Sequence, residues 1–296
     1  MVGQRGGLRE VHLVGFAEAL QCYDLHASAQ ALEPPAFGLT HSAEKFMRST
    51  VDLARRKWRE AQKHDERPAI LAFDQLSLPE DLIDLLIDMR IYSNDVHAFV
   101  TGDPAPNARD MSMFRNLLVH QLLSLPMYDY GRSHAPPYAR NAMVEELVRV
   151  GALVFAYGAL YPSPPWEPKE KLVEMLQMKL EAVVTQGLDA WAHLEIGLLM
   201  WLSMMGCMMA VGPDIQDDAH KLHEFEAGCV PQDVFFKLLV WCQLRLGYVE
   251  FGEMKQEMEK WLWLAEACDE GANDVWALVK PVDATTLERM EDDGLK

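Results

Sequence analysis

Apolar side chains recur at three- and four-residue intervals between breaks made by proline and glycine, and this period limits what the 296-residue chain can fold into. Between residues 42 and 64, Met47, Val51, Ala54, Trp58 and Ala61 fall on one side of a helix and charged residues on the other. No stretch alternates strictly between apolar and polar, and no Asn-Gly or Asp-Gly pair joins two alternating runs, so hairpins are not expected. The spacing predicts an all-α chain: a single irregular multi-helix domain over residues 42–280, of about nine to eleven helices. A weakly ordered lead-in, 1–41, with at most one short helix, precedes it, and an acidic tail, 281–296, follows.

Local signals place the helix limits. Ser77-Leu78-Pro79-Glu80 reads as a capping box, with Ser77 as N-cap and Glu80 three residues on, opening a helix that stops near Gly102. A helix from Asn107 or Asp110 to Leu125 is closed by Pro126, and a long one runs from Tyr138 to Tyr161 between proline pairs. Further helices are expected over 169–185, 188–211, 214–227, 231–246 and 253–267, with a short tail after Gly271. No repeat of 20 to 50 residues and no sustained heptad pattern is present.

Charge narrows the function classes. Lys and Arg number 27 against 45 Asp and Glu, a formal net charge of -18. Residues 1–64 are net +2, so the acid lies in the rest. Such a surface repels phosphate, so direct nucleic-acid binding is not expected. Five cysteines, an odd number scattered over a long chain, imply no disulfide framework. Arg5 and Arg9 precede a short apolar stretch, Val11 to Leu20, but His12 and Glu18 break it, which argues against a secretory signal. The charge-free run from Ile196 to Gly212 falls just short of a bilayer span and reads as a buried helix, so no membrane association is expected.

Candidate chemistry is sparse. His220, His223, Glu226 and Cys229 have metal-like spacing, but Gly228 ends the helix before Cys229, and a solvated amphipathic helix is the better reading; no metal and no cofactor is expected. Asp189, His193 and Glu195 at the mouth of the apolar run could serve acid/base work, or satisfy helix-end hydrogen bonds. No nucleophile elbow, P-loop or dinucleotide-binding glycine pattern occurs. The basic run Arg55, Arg56, Lys57 and Arg59 is a candidate nuclear-import patch, with a charged helix face as the alternative. Trp201, Met204, Met205 and Met208 are either core or the lining of an apolar effector pocket.

The segment Arg115-Asn116-Leu117-Leu118-Val119-His120-Gln121-Leu122-Leu123-Ser124-Leu125 resembles the Arg-Asn-x-x-x-His-x-Leu-Leu-Ser-Leu segment of a fungal transcription-factor family. Glu146 to Val154 is similar to that family's Glu-x-Cys-Arg-x-Ala-Ala-Leu-Ile helix, with Val148 and Gly151 as departures. Leu198 to Gly206 resembles its Leu-Leu-Trp-Leu-x-x-x-Gly helix, and Trp261-Leu262-Trp263 its Phe-Leu-Trp. Order and spacing cover about residues 80–280. Members of the family usually carry a six-cysteine, two-zinc DNA-binding cluster before a helical regulatory domain. The cysteines here cannot form that cluster, so the resemblance implies a regulatory domain standing alone, whether the module was lost or the gene model is truncated at its start.

On that reading the chain is a nuclear or nucleocytoplasmic, non-enzymatic regulator acting through other proteins, either transcription machinery or a DNA-binding partner, and through a small-molecule effector. Glu146 and Arg149 are expected to form a polar strut between the two motif helices, with Arg115 and His120 anchoring loop carbonyls. The alternative is a helical enzyme or small-molecule-binding protein with a His/carboxylate pocket.

Overall fold

Helix dominates the computed structural model, which describes residues 14–31, 33–39, 41–64, 72–103, 107–125, 136–160, 167–188, 191, 193–211 and 234–279. No strand occurs among them, and the chain is all-α, with ten continuous α-helical rods among the described residues. The chain divides into two compact units, Met1–Pro162 and Ser163–Lys296, and the division falls in the proline-rich stretch that was expected only to end a helix within a single domain.

The first unit contains α1 (Val14–Ala31), α2 (His41–Phe46), α3 (Asp52–His64), α4 (Glu80–Thr101), α5 (Ala108–Ser124) and α6 (Pro136–Phe155). A wide π-helical turn, Met47–Val51, joins α2 to α3, and another, Ala156–Leu160, extends α6. The hub is α5, which packs against α1, α2, α4, α6 and both π-turns. Its Met111, Phe114, Leu117, Leu118, Val119, Leu122 and Leu123 are buried, an apolar arc wide enough to serve several neighbours. Asn107 caps α5, its side chain accepting the Asp110 N–H at 3.0 Å.

The second unit contains α7 (Glu167–Gln186), α8 (His193–Val211), α9 (Val234–Leu246), α10 (Phe251–Met258) and α11 (Ala265–Val279). Here the hub is α8, which packs most extensively on α9 and also on α7, α10 and α11. A Cβ at Gly206 would run into the Phe235 ring, so the glycine is what lets α9 approach. Among the described residues no helix is long and apolar enough to cross a membrane.

Four expectations differ from the structure. Residues 14–31 form an eighteen-residue helix whose Gln21, Asp24, Leu25, Ser28 and Ala29 are buried, where a lead-in with at most one short helix was expected. Weak apolar patterning is what a helix shows when it buries polar groups. The N-cap of α4 is Pro79, not Ser77, with no side-chain cap. A cap at Ser77 would require Leu78 to be helical, and the proline ring after it disfavours that conformation. The αL end of α4 at Gly102, with φ 81°, is as expected.

The predicted helix 253–267 is instead α10 and α11, separated at 259–264, with a capping box at Glu250 and Glu253. Trp261, Leu262 and Trp263 are buried in that break. Finally, α11 continues through Gly271, because Cys268, Ala272, Val275, Trp276 and Val279 keep the helical interval and are buried. The predicted helix 214–227 and the tail 281–296 lie outside the described residues.

Candidate functional site

Along α5, Asn116, His120 and Ser124 follow one another at four-residue steps and form a single polar ridge beside the apolar arc. Asn116 Nδ2 donates to Cys22 Sγ on α1 at 3.2 Å, and His120 Nε2 lies 3.1 Å from the Phe37 carbonyl oxygen. The loop holding Phe37 is gripped from the other side by Asp24, whose carboxylate oxygens accept the N–H groups of Ala36 (3.1 Å) and Phe37 (2.9 Å). Tyr157, in the second π-turn, donates to the Leu25 carbonyl at 3.2 Å, and its ring meets His26 edge-on at 6.0 Å. Burial lowers the His120 pKa below its ordinary 6.5, against the opposing pull of the Phe37 carbonyl and Asp24. The ring is therefore neutral at pH 7, with Nε2–H donating to Phe37. His120 anchors a loop carbonyl as expected; Arg115 meets Ser112 Oγ at 3.4 Å within its own helix.

Glu146 and Arg149 form a bidentate pair, both bonds 2.8 Å, with exposures of only 2% and 3%. The pair closes within α6 at the i, i+3 spacing, a buried intrahelical clasp. Neighbouring Glu145 has its pKa raised, chiefly by burial and also by the Glu146 charge.

The basic run on α3 is divided by the fold. Arg55 donates to both oxygens of Asp88 and to Asp84, and Arg59 pairs with Asp84, while Arg56 and Lys57 are exposed. Asp88 is fully buried, and desolvation pushes its pKa up to about 6 even though the Arg55 hydrogen bond pulls it down. Two of the four residues assigned to import are thus holding α3 on α4.

In the second unit Trp201, Met204 and Met205 are buried within the α8 packing, and Met208 lies against Gly271. The Trp201 indole donates to the Leu262 carbonyl at 2.8 Å, so two of the resemblance segments meet directly. Glu257 is buried beside Gly197, accepting from Tyr248 Oη at 2.8 Å and from Lys260 Nζ at 2.6 Å. A Cβ at Gly197 would lie 2.5 Å from the Glu257 carboxylate, so glycine makes room for it. Asp189, the side chain of His193, and His220, His223, Glu226 and Cys229 lie outside the described residues. Among the described residues no group of three His, Cys, Asp or Glu side chains could hold a metal ion.

Sequence reading missed one feature, a cleft of about 50 Å³ in the first unit. Its apolar wall is Phe46, Val51, Ala54, Met111 and Phe114. Phe114 is held edge-on by Phe46 at 6.1 Å and by Tyr92 at 5.5 Å. Thr50, Asp95 and Asp110 supply its polar atoms. The π-turn 47–51 changes the helical register here, and no interval in the sequence announces such a turn. Burial raises the Asp95 pKa, and the carboxylate has no hydrogen-bond or ionic partner among the described residues. One oxygen of Asp110 takes the Asn107 amide at 2.8 Å.

Comparison with known proteins finds no matching family model, no matching curated protein and no matching solved structure.

Proposed function

We propose that the chain is a transcription-regulator-like interaction domain, acting through contacts with other proteins. The reading begins from the resemblance of residues 115–125, 146–154, 198–206 and 261–263 to the fungal regulatory domain. What supports it most is the disposition of the polar groups among the described residues. Most of those with displaced pKa values or deep burial are dispersed and already engaged, with Asp95 as the exception: Asp88 under Arg55, His120 on Phe37, Glu146 on Arg149, Glu257 on Tyr248 and Lys260. A catalyst needs such groups to converge on a cleft that encloses substrate. The cleft beside Asp95, at about 50 Å³, holds a few waters or the end of one side chain.

A nuclear or nucleocytoplasmic location belongs to the same proposal and draws on the basic run, of which Arg56 and Lys57 stay exposed. The test is to tether the full chain to an unrelated DNA-binding module and read transcription from a reporter carrying that module's site. The expected result is a change relative to the module alone. An unchanged reporter, with the fusion abundant and nuclear, would overturn the proposal.

A further inference from the structure

The Asp95 cleft has features that neither a core void nor an ordinary surface dimple combines. One wall is aromatic and aliphatic, formed by Phe46, Val51 and Phe114. Its polar side carries two carboxylates, Asp95 and Asp110, from different helices, and among the described residues no cation answers Asp95. A half-buried carboxylate with no cation beside it among the described residues is unfavourable, and a cation delivered from outside would relieve it. The π-turn that shapes one wall is itself an uncommon backbone feature, and such turns cluster at functional positions.

We propose that this cleft receives the side chain of a lysine presented by a protein partner, its methylene stem against Phe46, Val51 and Phe114 and its ammonium between Asp95 and Asp110. The size selects a side chain over a metabolite. A basic side chain with an apolar stem matches a cleft with an apolar wall and a carboxylate side, since the methylenes lie along the one while the ammonium reaches the other. A chain-wide net charge of -18 draws basic partners over long range. One turn along α4 from Asp95 stand Phe99 and Val100, exposed at 56% and 59%, an apolar platform that a peptide could cover and a free amine could not. This rests on the reading of the chain as an interaction domain but not on a role in transcription.

The test is a methyl NMR titration of the full chain, following Val51, Ala54 and Met111, with N-acetyl-lysine methylamide as probe. The norleucine analogue, which keeps the stem without the charge, serves as comparison. Lysine amide should move these methyls saturably and bind at least about tenfold more tightly than norleucine amide, the size of one charge-assisted contact. Asp95→Asn should abolish that preference, and because it removes a half-buried charge with no partner among the described residues it should not lower the melting temperature. Asp81→Asn, on an exposed residue of α4, should leave binding unchanged. Placing the lysine in a pentapeptide with flanking leucines should tighten binding in a way that Phe99→Ala cancels. Equal binding of lysine and norleucine amides, an unaltered preference in Asp95→Asn, or no methyl response would overturn the site. If n-butylammonium bound as tightly as the pentapeptide, a protein source for the ligand would be overturned. A silent reporter beside a positive titration would remove the transcriptional reading and leave this one standing.

Discussion

The two hub helices hold their units together by different means. On α5 a polar ridge accompanies the apolar arc, and the surrounding unit contains the Asp24 loop grip, the Arg55–Asp88 pair and the Glu146–Arg149 clasp. On α8, residues 198–207 are buried all round, and packing of methionine, tryptophan and glycine does most of the work, beside the Trp201 indole bond to Leu262 and the Glu257 carboxylate against Gly197. Directional bonds fix where a loop or helix end must lie, whereas close packing fixes only distance and volume. The difference teaches that the surroundings of α5 should respond to changes of charge and the α8 segment 198–207 to changes of size.

The largest effect that could break this contrast is loss of the clasp. Arg149→Ala removes both guanidinium bonds from the buried Glu146 carboxylate and should cost about 3–5 kcal/mol in chemical denaturation, whereas replacing both partners with Leu or Met of similar volume should recover most of it. A single-mutant loss below about 0.5 kcal/mol, the size of a neutral surface change, would remove the clasp from the account. Next in size is Gly206→Ala, which should destabilise by about 1–3 kcal/mol through collision with Phe235, despite the roughly 1 kcal/mol that alanine contributes to a helix interior. A stabilised variant would show that α9 is free to yield.

Acidification sharpens the comparison within the first unit. The His120 pKa is depressed in the folded chain, so its contribution is complete above 6.5 and is lost as pH falls through the lower folded value. Asp88 acts oppositely: raised from 3.8 to about 6, it contributes stability below 3.8 that disappears as pH rises through 6. Stability profiles from pH 4 to 7 should therefore lose their acid-side decline in His120→Gln and their opposing rise toward acid in Asp88→Asn. Parallel profiles in all three proteins would contradict both assignments. The smallest effect belongs to exposed Arg56 and Lys57, where a double alanine change should stay within about 0.5 kcal/mol. Any loss of nuclear accumulation in that variant therefore reports on import and not on folding.

Much of the helical architecture was legible because burial at helical intervals leaves a strong trace, as along α4 and α5. Break points were less so. The split between α10 and α11 depends on Trp261, Leu262 and Trp263 being buried outside any helix, and their apolar character fits a helix equally well. His120 was rightly singled out as a loop anchor, but its companions on the ridge, Asn116 and Ser124, were overlooked although their four-residue spacing was plain. Glu146 and Arg149 were correctly paired at i, i+3, while the direction of the pair depended on the burial of both groups within α6. The Asp95 cleft left no sequence trace, since it depends on a π-turn and on four helices meeting.

The most direct measurement is transcription from the tethered reporter, compared for the wild-type chain, Asp81→Asn and Asp95→Asn at matched abundance. The account predicts that wild type and Asp81→Asn shift the reporter equally and that Asp95→Asn returns it toward the level of the DNA-binding module alone. A reporter that never shifts would contradict the interaction-domain reading, and one that Asp95→Asn shifts as fully as wild type would contradict the cleft as its contact.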